Sequence, residues 1–236
     1  MYELQEYNIF NTVLGTKVRM FHRLNTNDRM VIDSIMIYDE YKTRDFNYED
    51  GDIFIDVGSH IGAWGILMAS LNPTFQVYAY EPIPENFQLI KDNIKINNLK
   101  NIKAFEYAVS DTSAGVMPIH YTNNPSDRFV GSPQGGSKVL VNAKKISLND
   151  IFVNNQITRC KVMKIDCEGC ECKAFSTIPQ RILQRIDYVI GEFHPWGITK
   201  SIFKSYFEPD FIDLTWKEEQ LGEQELQRFL YKRKNI

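Results

Sequence analysis

The sequence lacks most of what would mark a secreted, membrane-spanning or nucleic-acid-coating chain. Its 236 residues hold four cysteines, three of them crowded between 167 and 172. That is no evenly spaced disulfide framework of a small secreted domain. The longest apolar stretch, IGAWGILMASL at 61–71, falls far short of the roughly 20 residues a membrane span needs. Basic residues are not in surplus: 27 Lys and Arg face 30 Asp and Glu, for a formal charge of −3 and a pI near 5.9. A nucleic-acid surface normally needs a clustered basic face. The one basic run, Lys232-Arg233-Lys234, reads as a solvated tail. The opening MYELQEYNIF carries acids and no basic start before an apolar core, so the sequence predicts no leader peptide and a cytoplasmic location. No nucleic-acid or membrane partner is expected. There is no internal repeat and no low-complexity tract.

What remains is an ordinary globular balance, 43% hydrophobic and 24% charged, enough for a sizeable core. Residues 1–50 read as an N-terminal cap, with Asn27 and Asp28 placed to cap a helix that runs through Ile32, Ile35 and Met36 towards Tyr41. From residue 51 the pattern changes. Asp52-Ile-Phe-Ile-Asp-Val-Gly58 is a short apolar run ending at glycine, as in a strand buried on both faces. A helix is expected over 61–71, a strand over 76–81, a helix begun by Pro84 and a strand over 101–109. Residues 116–121 and 138–146 read as an added hairpin around a Gly/Pro/Ser-rich loop at 121–137, strands follow at 161–166 and 186–193, and the last thirty residues supply a closing pair. Strands alternating with helices predict an α/β fold: a mostly parallel seven-stranded sheet, helices on both faces, ligands at the carboxyl ends of the strands.

The candidate site residues fall at those ends. Gly58 and Gly62 permit a tight turn and close backbone approach to a ligand at a helix N-terminus. Glu81, ending the next strand twenty-five residues beyond Asp56, can accept both hydroxyls of a ribose. The glycines are not spaced G-x-G-x-x-G as a dinucleotide fold prefers, and an acid precedes the first. Asp56 would repel a pyrophosphate but suits a cofactor bearing an amine and a sulfonium, such as S-adenosylmethionine (SAM). Asp111 can accept from an adenine amino group, or simply start a turn before Thr112 and Ser113.

With these features the chain resembles the FkbM family of SAM-dependent methyltransferases, which have a class I Rossmann-like fold. The resemblance rests on IDVGSHIG at 55, YEPIPENFQLIKDNIKINN at 80, AVSD at 108, ISLNDI at 146, KIDCEGCE at 164 and GEFH at 191. It implies that Asp56, Gly58 and Gly62 line the methionine part of SAM, flanked by Val57 and Ser59. It implies Glu81, beside Pro82, at the ribose, Ser110 and Asp111 at the adenine, and Asp166 near the sulfonium. His60 stands where the family usually has Asn, and Cys167 and Cys170 where it has small apolar residues. A structural zinc site wants four ligands, usually in pairs, so Cys167, Cys170 and Cys172 are expected as free thiols outside the chemistry.

Methyl transfer to a hydroxyl needs a base. His194, with an ordinary pKa near 6.5, is the first candidate and Glu168 the second, while Glu192 alternates off the rim. Asp166, Glu168, Glu171 and His194 could hold a divalent cation as a Lewis acid, but no metal is favoured. The D/N-P-P-Y signature of amino-methylating DNA enzymes is absent. The resemblance favours a hydroxyl on a sugar, glycan or natural-product scaffold. An NAD-type oxidoreductase and a non-catalytic SAM-fold module are the rival readings.

Overall fold

The computed structural model describes residues 3–121, 128–130, 138–194, 200–215 and 228–234. An N-terminal hairpin, β1 (Leu4–Ile9) and β2 (Val18–Arg23), leads into helix α1 (Asp28–Met36). Then come β3 (Ile53–Val57), α2 (Ala63–Leu71), β4 (Gln76–Tyr80), α3 (Pro84–Ile96), β5 (Ile102–Phe105) and β6 (Ala108–Ser110). The added sheet comprises β7 (Val116–Tyr121), β8 (Arg128–Val130) and β9 (Lys138–Ser147). The chain continues through α4 (Leu148–Asn154), β10 (Cys160–Ile165), α5 (Glu171–Ser176), α6 (Gln180–Leu183) and β11 (Ile186–Glu192). It closes with α7 (Lys200–Ser205), β12 (Phe211–Asp213) and β13 (Arg228–Arg233).

Seven strands form the main sheet in the order β12-β13-β11-β10-β3-β4-β5. Strands β11, β10, β3, β4 and β5 run parallel, and β13 lies antiparallel between β11 and β12. This is the expected mostly parallel α/β sheet with its closing pair. Both faces are buried, so the strands read as continuous apolar runs. Phe54 packs in a cluster with Trp64, Phe75 and Leu67. Its neighbours Ile55 and Val57 pack on the opposite face with Phe152 and Phe175.

Three local expectations are corrected. The strand expected over 101–109 is two: β5 pairs with β4, while β6 leaves the sheet to pair with β9. Helix α1 stops at Met36 because Asp39 and Lys42 take left-handed backbone (φ 56° and 53°), and the Asp39 carboxylate accepts from the Thr43 and Arg44 amides. Neither Asn27 nor Asp28 caps α1; the Asp28 amide donates to the Thr26 hydroxyl. The residues between β7 and β9, β8 apart, lie outside the described residues. No helix among the described residues is long and apolar enough to cross a membrane.

The first fifty residues share the core of the sheet. Ile9, Val18, Met20, Ile32, Ile35, Met36, Tyr41 and Phe46 pack in one cluster with Phe54, Trp64 and Val77.

Candidate active site

At the end of β3 the chain turns sharply beneath β10. Gly58 has φ +71°, and a Cβ there would lie 1.8 Å from the Asp166 carbonyl oxygen. Only glycine fits. Asp56, expected to face the cofactor, is fully buried behind this turn. One of its oxygens accepts from the Gly65 amide at 3.2 Å, and the other pairs with Lys164 Nζ at 3.2 Å. Lys164, itself buried, also donates to the Gly58 carbonyl at 2.8 Å. Burial opposes its charge, but Asp56 and Asp166 overcome this and hold the lysine above its ordinary pKa. The Asp56 charge is thus answered inside the fold.

Glu81 follows β4 and is buried. One oxygen accepts from the His60 amide at 2.8 Å, the other from the Ile83 amide at 3.1 Å and Asn86 Nδ2 at 3.2 Å. Burial raises its pKa against these donors. The carboxylate is fixed in place, and the oxygen carrying the His60 contact keeps acceptor capacity. Ser110 Oγ donates to Asp111, which stands 3.9 Å from Lys145.

The stretch KIDCEGCE forms the opposite wall. Glu168 (φ 54°) and Gly169 (φ 107°) reverse the chain. The reversal brings the Cα atoms of Cys167 and Cys170 to 5.5 Å, where the two residues form a disulfide. The expectation of three free thiols is therefore wrong for two of them; Cys172, with Cys160, is free and buried. Glu171, fully buried, holds the turn from inside by accepting from the Cys167 and Gly169 amides at 3.0 and 3.1 Å.

Glu171 also binds His194: Nδ1 lies 3.0 Å from its carboxylate, and Nε2 lies 3.3 Å from Glu168. Burial disfavours the imidazolium, but the Glu171 hydrogen bond and the charges of Glu171, Glu168 and Asp166 prevail. They push the His194 pKa up to about 10. The ordinary imidazole pKa expected of His194 does not hold, and the doubly protonated ring accepts no proton at neutral pH.

Asp166 accepts from the buried Tyr41 hydroxyl at 2.6 Å. Burial and the Asp166 charge together keep Tyr41 un-ionised, its pKa raised well above the ordinary value. Glu192 stands beside Asp166, contrary to the off-rim expectation, because Ile165 is in register with Gly191 and the next residues adjoin. Burial, then repulsion from Asp166, lifts its pKa to about 7.

Between these walls lies a cavity of about 560 Å³, within the usual range for small-molecule sites. Val57, Gly58, Ser59, Glu81, Pro82, Asp166 and Glu168 line it, as do Tyr41, Lys164 and Glu192. Asp56, Gly62, Ser110, Asp111 and His194 do not. The N-terminal segment adds Arg23 and Asp28: Arg23 donates twice to Asp28 at 2.8 Å, and His60 Nε2 lies 3.2 Å from the same carboxylate. Sequence reasoning missed Tyr41, Lys164, Glu192 and this Arg23–Asp28–His60 cluster. Lysines inside a buried strand, Lys161 and Lys164 of β10, were a usable signal. Gly191 was one for the strand register: a Cβ there would meet the Ile165 carbonyl at 1.7 Å.

A parallel sheet with a glycine turn after β3, an acid after β4 and a cavity over the strand ends defines a Rossmann-like class I methyltransferase. The match to the methyltransferase FkbM domain family spans residues 56–218. The chain belongs to that family and is a SAM-dependent methyltransferase. It is 23% identical over 200 residues to methyltransferase sdnD of Sordaria araneosa, covering 72% of this chain and 76% of the relative. Among solved structures, an rRNA methylase from Streptococcus thermophilus aligns with TM-score 0.48 at 11% identity, over 78% of this chain and 88% of that one. A Streptococcus mutans protein in complex with S-adenosylhomocysteine (SAH) aligns with TM-score 0.47 at 10% identity, over 78% and 88%.

Proposed function

We propose that the chain methylates a hydroxyl group on an uncharged sugar, glycan or small natural-product scaffold. The observation that carries this reading is the sign of the cavity wall. Asp28 is answered by Arg23, and Glu40 by Arg228 at 2.7 Å. Asp166, Glu168 and Glu192 remain, with His194 and Lys164, the latter shared with Asp56, as their nearby cations. A phosphate-bearing acceptor would meet like charge there, at a cost of several kcal/mol. A neutral hydroxyl meets acceptors for its proton.

The residues present fit SAM. Glu81 has the lone pairs to take ribose hydroxyls, with Ser59 and Pro82 beside it on the cavity wall. The Gly58 turn leaves room for close backbone approach. SAM supplies an electrophilic methyl group. The protein's part is to hold the acceptor oxygen in line with it, a positioning effect that accounts for much of such catalysis. Glu168, half-exposed at the cavity edge, is the base in this reading. His194 orients it by donating from Nε2.

Two measurements test the proposal. Calorimetric titration should show binding of SAH and none of NAD. Incubation with SAM and a panel of neutral hydroxylated sugars and scaffolds should give a product heavier by one methylene. SAH binding together with methylation of RNA, and of no neutral hydroxyl, would overturn the acceptor assignment.

A further inference from the structure

We propose that Asp166, Glu192 and His194 form a binding site for one divalent cation of the manganese or zinc type, on the acceptor side of the cavity. One ligand atom from each residue can be chosen so that all three lie within 4.8 Å of one another. Metal–oxygen and metal–nitrogen bonds of about 2.0–2.2 Å put ligand atoms roughly 3–4 Å apart, so a closure of about 1 Å by these side chains lets a single ion join all three.

The placement comes from the sheet. β10 and β11 are parallel neighbours with Ile165 opposite Gly191, so Asp166 and Glu192 leave adjacent strand ends side by side. His194 follows two residues later.

The surrounding contacts resemble an outer shell. His194 Nδ1 is tethered to the buried Glu171, which is itself fixed by the Cys167 and Gly169 amides. The tether leaves Nε2 as the ring's second nitrogen, 3.3 Å from Glu168, a contact that the ion would replace. Metal-bound histidines almost always hold their second nitrogen in this way, and often to a carboxylate. Asp166 is oriented by the Tyr41 hydroxyl on one oxygen, which leaves the other for an ion.

This set differs from the one that the sequence suggested. Glu171 positions the histidine instead of ligating, and Glu192 takes its place. Two carboxylates and an imidazole suit manganese or zinc; magnesium and calcium prefer all-oxygen shells. Binding requires neutral imidazole, so one proton leaves Nε2 for solvent as the ion arrives. Three protein ligands leave coordination positions open. Asp166 and Glu192 line the cavity, so those positions face the acceptor, where the ion would hold a hydroxyl oxygen and free Glu168 from His194. That last role rests on the methyl-transfer reading. The binding of the ion does not.

The test uses the full-length protein, treated with chelator and desalted, then titrated with MnCl₂ alone. Free Mn²⁺ is read by electron paramagnetic resonance, and SAH binding is measured on the same samples. One Mn²⁺ should bind per chain, and Zn²⁺ should compete for the same site. Glu192→Gln and Asp166→Asn should each weaken Mn²⁺ binding at least roughly 10-fold, and Glu171→Gln, acting through His194, by roughly 10- to 100-fold. Asp92→Asn, on α3 and outside the cavity lining, should change nothing. Should Asp166→Asn not fold, Glu192→Gln carries the test, because it leaves the Tyr41 contact intact. Lack of saturable binding of either ion below about 1 mM would overturn the site. So would undiminished binding in a folded Glu192→Gln variant. SAH binding without Mn²⁺ binding sinks the cation site alone, whereas failure to bind SAH counts against the cofactor assignment.

Discussion

Glu81 and Asp56 end neighbouring parallel strands, yet their surroundings give them different work. Glu81 faces the cavity with an oxygen able to accept more, whereas Asp56 is closed off by Lys164 and the Gly65 amide. Glu81→Gln should therefore weaken SAH binding roughly 10- to 100-fold, since a charge-assisted hydrogen bond is worth about 1.5–3 kcal/mol. Calorimetry checks this, and unchanged affinity would remove Glu81 from the ribose. Asp28 offers a test in stability. Burial disfavours its charge, but hydrogen bonds from His60 and Arg23 prevail and hold its pKa well below the usual carboxylate range. A depressed native pKa stabilises the fold above the unfolded value of about 3.9, and that contribution fades as pH falls below it. Asp28→Asn should cost roughly 3–5 kcal/mol at pH 7, because it removes the carboxylate charge with which the buried Arg23 pairs. The gap from wild type should shrink below about pH 4. Denaturant melts at the two pH values would show whether it does. Only half of this contrast was legible beforehand: the acid ending β4 could be placed at the ligand cavity, whereas the Asp56–Lys164 pair depends on β3 lying beside β10, more than a hundred residues along the chain.

At the scale of elements, the turn between β10 and α5 is held twice, by the Cys167–Cys170 disulfide and by Glu171 accepting from two backbone amides. The two devices differ in strength. Closing so short a loop removes little chain entropy, so reduction should cost at most about 2 kcal/mol. SAH affinity should stay nearly constant, because Glu171 keeps the turn in shape. Glu171→Ala leaves the two amides and His194 without their common partner, and should disturb the turn more than reduction does. Thermal melts with and without reductant, set beside the variant, check the order. Sequence reasoning set the thiols aside from the chemistry but could not see their bond. Cysteines three apart meet only when the residues between them reverse the chain, and left-handed backbone at a glutamate is not written in residue type. The Gly58 turn was legible for the opposite reason, since glycine was its signal. Gly58→Ala should cost more than about 3 kcal/mol through strain and collision with Asp166, measured by chemical denaturation.

At the scale of the whole molecule, the question is whether the first fifty residues are an accessory. The change of pattern at residue 51 was legible and coincides with the start of the parallel sheet at β3. It says nothing about what the earlier residues pack against, because an amphipathic hairpin and helix look alike whether they cap a domain or complete it. Here eight apolar side chains from this segment join the core that contains Trp64 and Phe54. The segment also supplies Tyr41 to Asp166 and the Arg23–Asp28 pair to His60. Removing residues 1–50 would expose apolar side chains on the side of α2 that packs against α1 and β2, in a helix whose residues 63–69 are all buried. Each such side chain contributes about 1.5–3 kcal/mol when buried, while a whole domain is stable by only about 5–15 kcal/mol. A fragment spanning 51–236 should therefore fail to form a cooperative fold. It should give near-ultraviolet circular dichroism without fixed aromatic signals and no binding of SAH. Adding residues 1–50 as a separate peptide should restore both in part, since the lost contacts are packing and not covalent. A fragment that melts cooperatively and binds SAH as the full chain does would show that the segment is a dispensable cap.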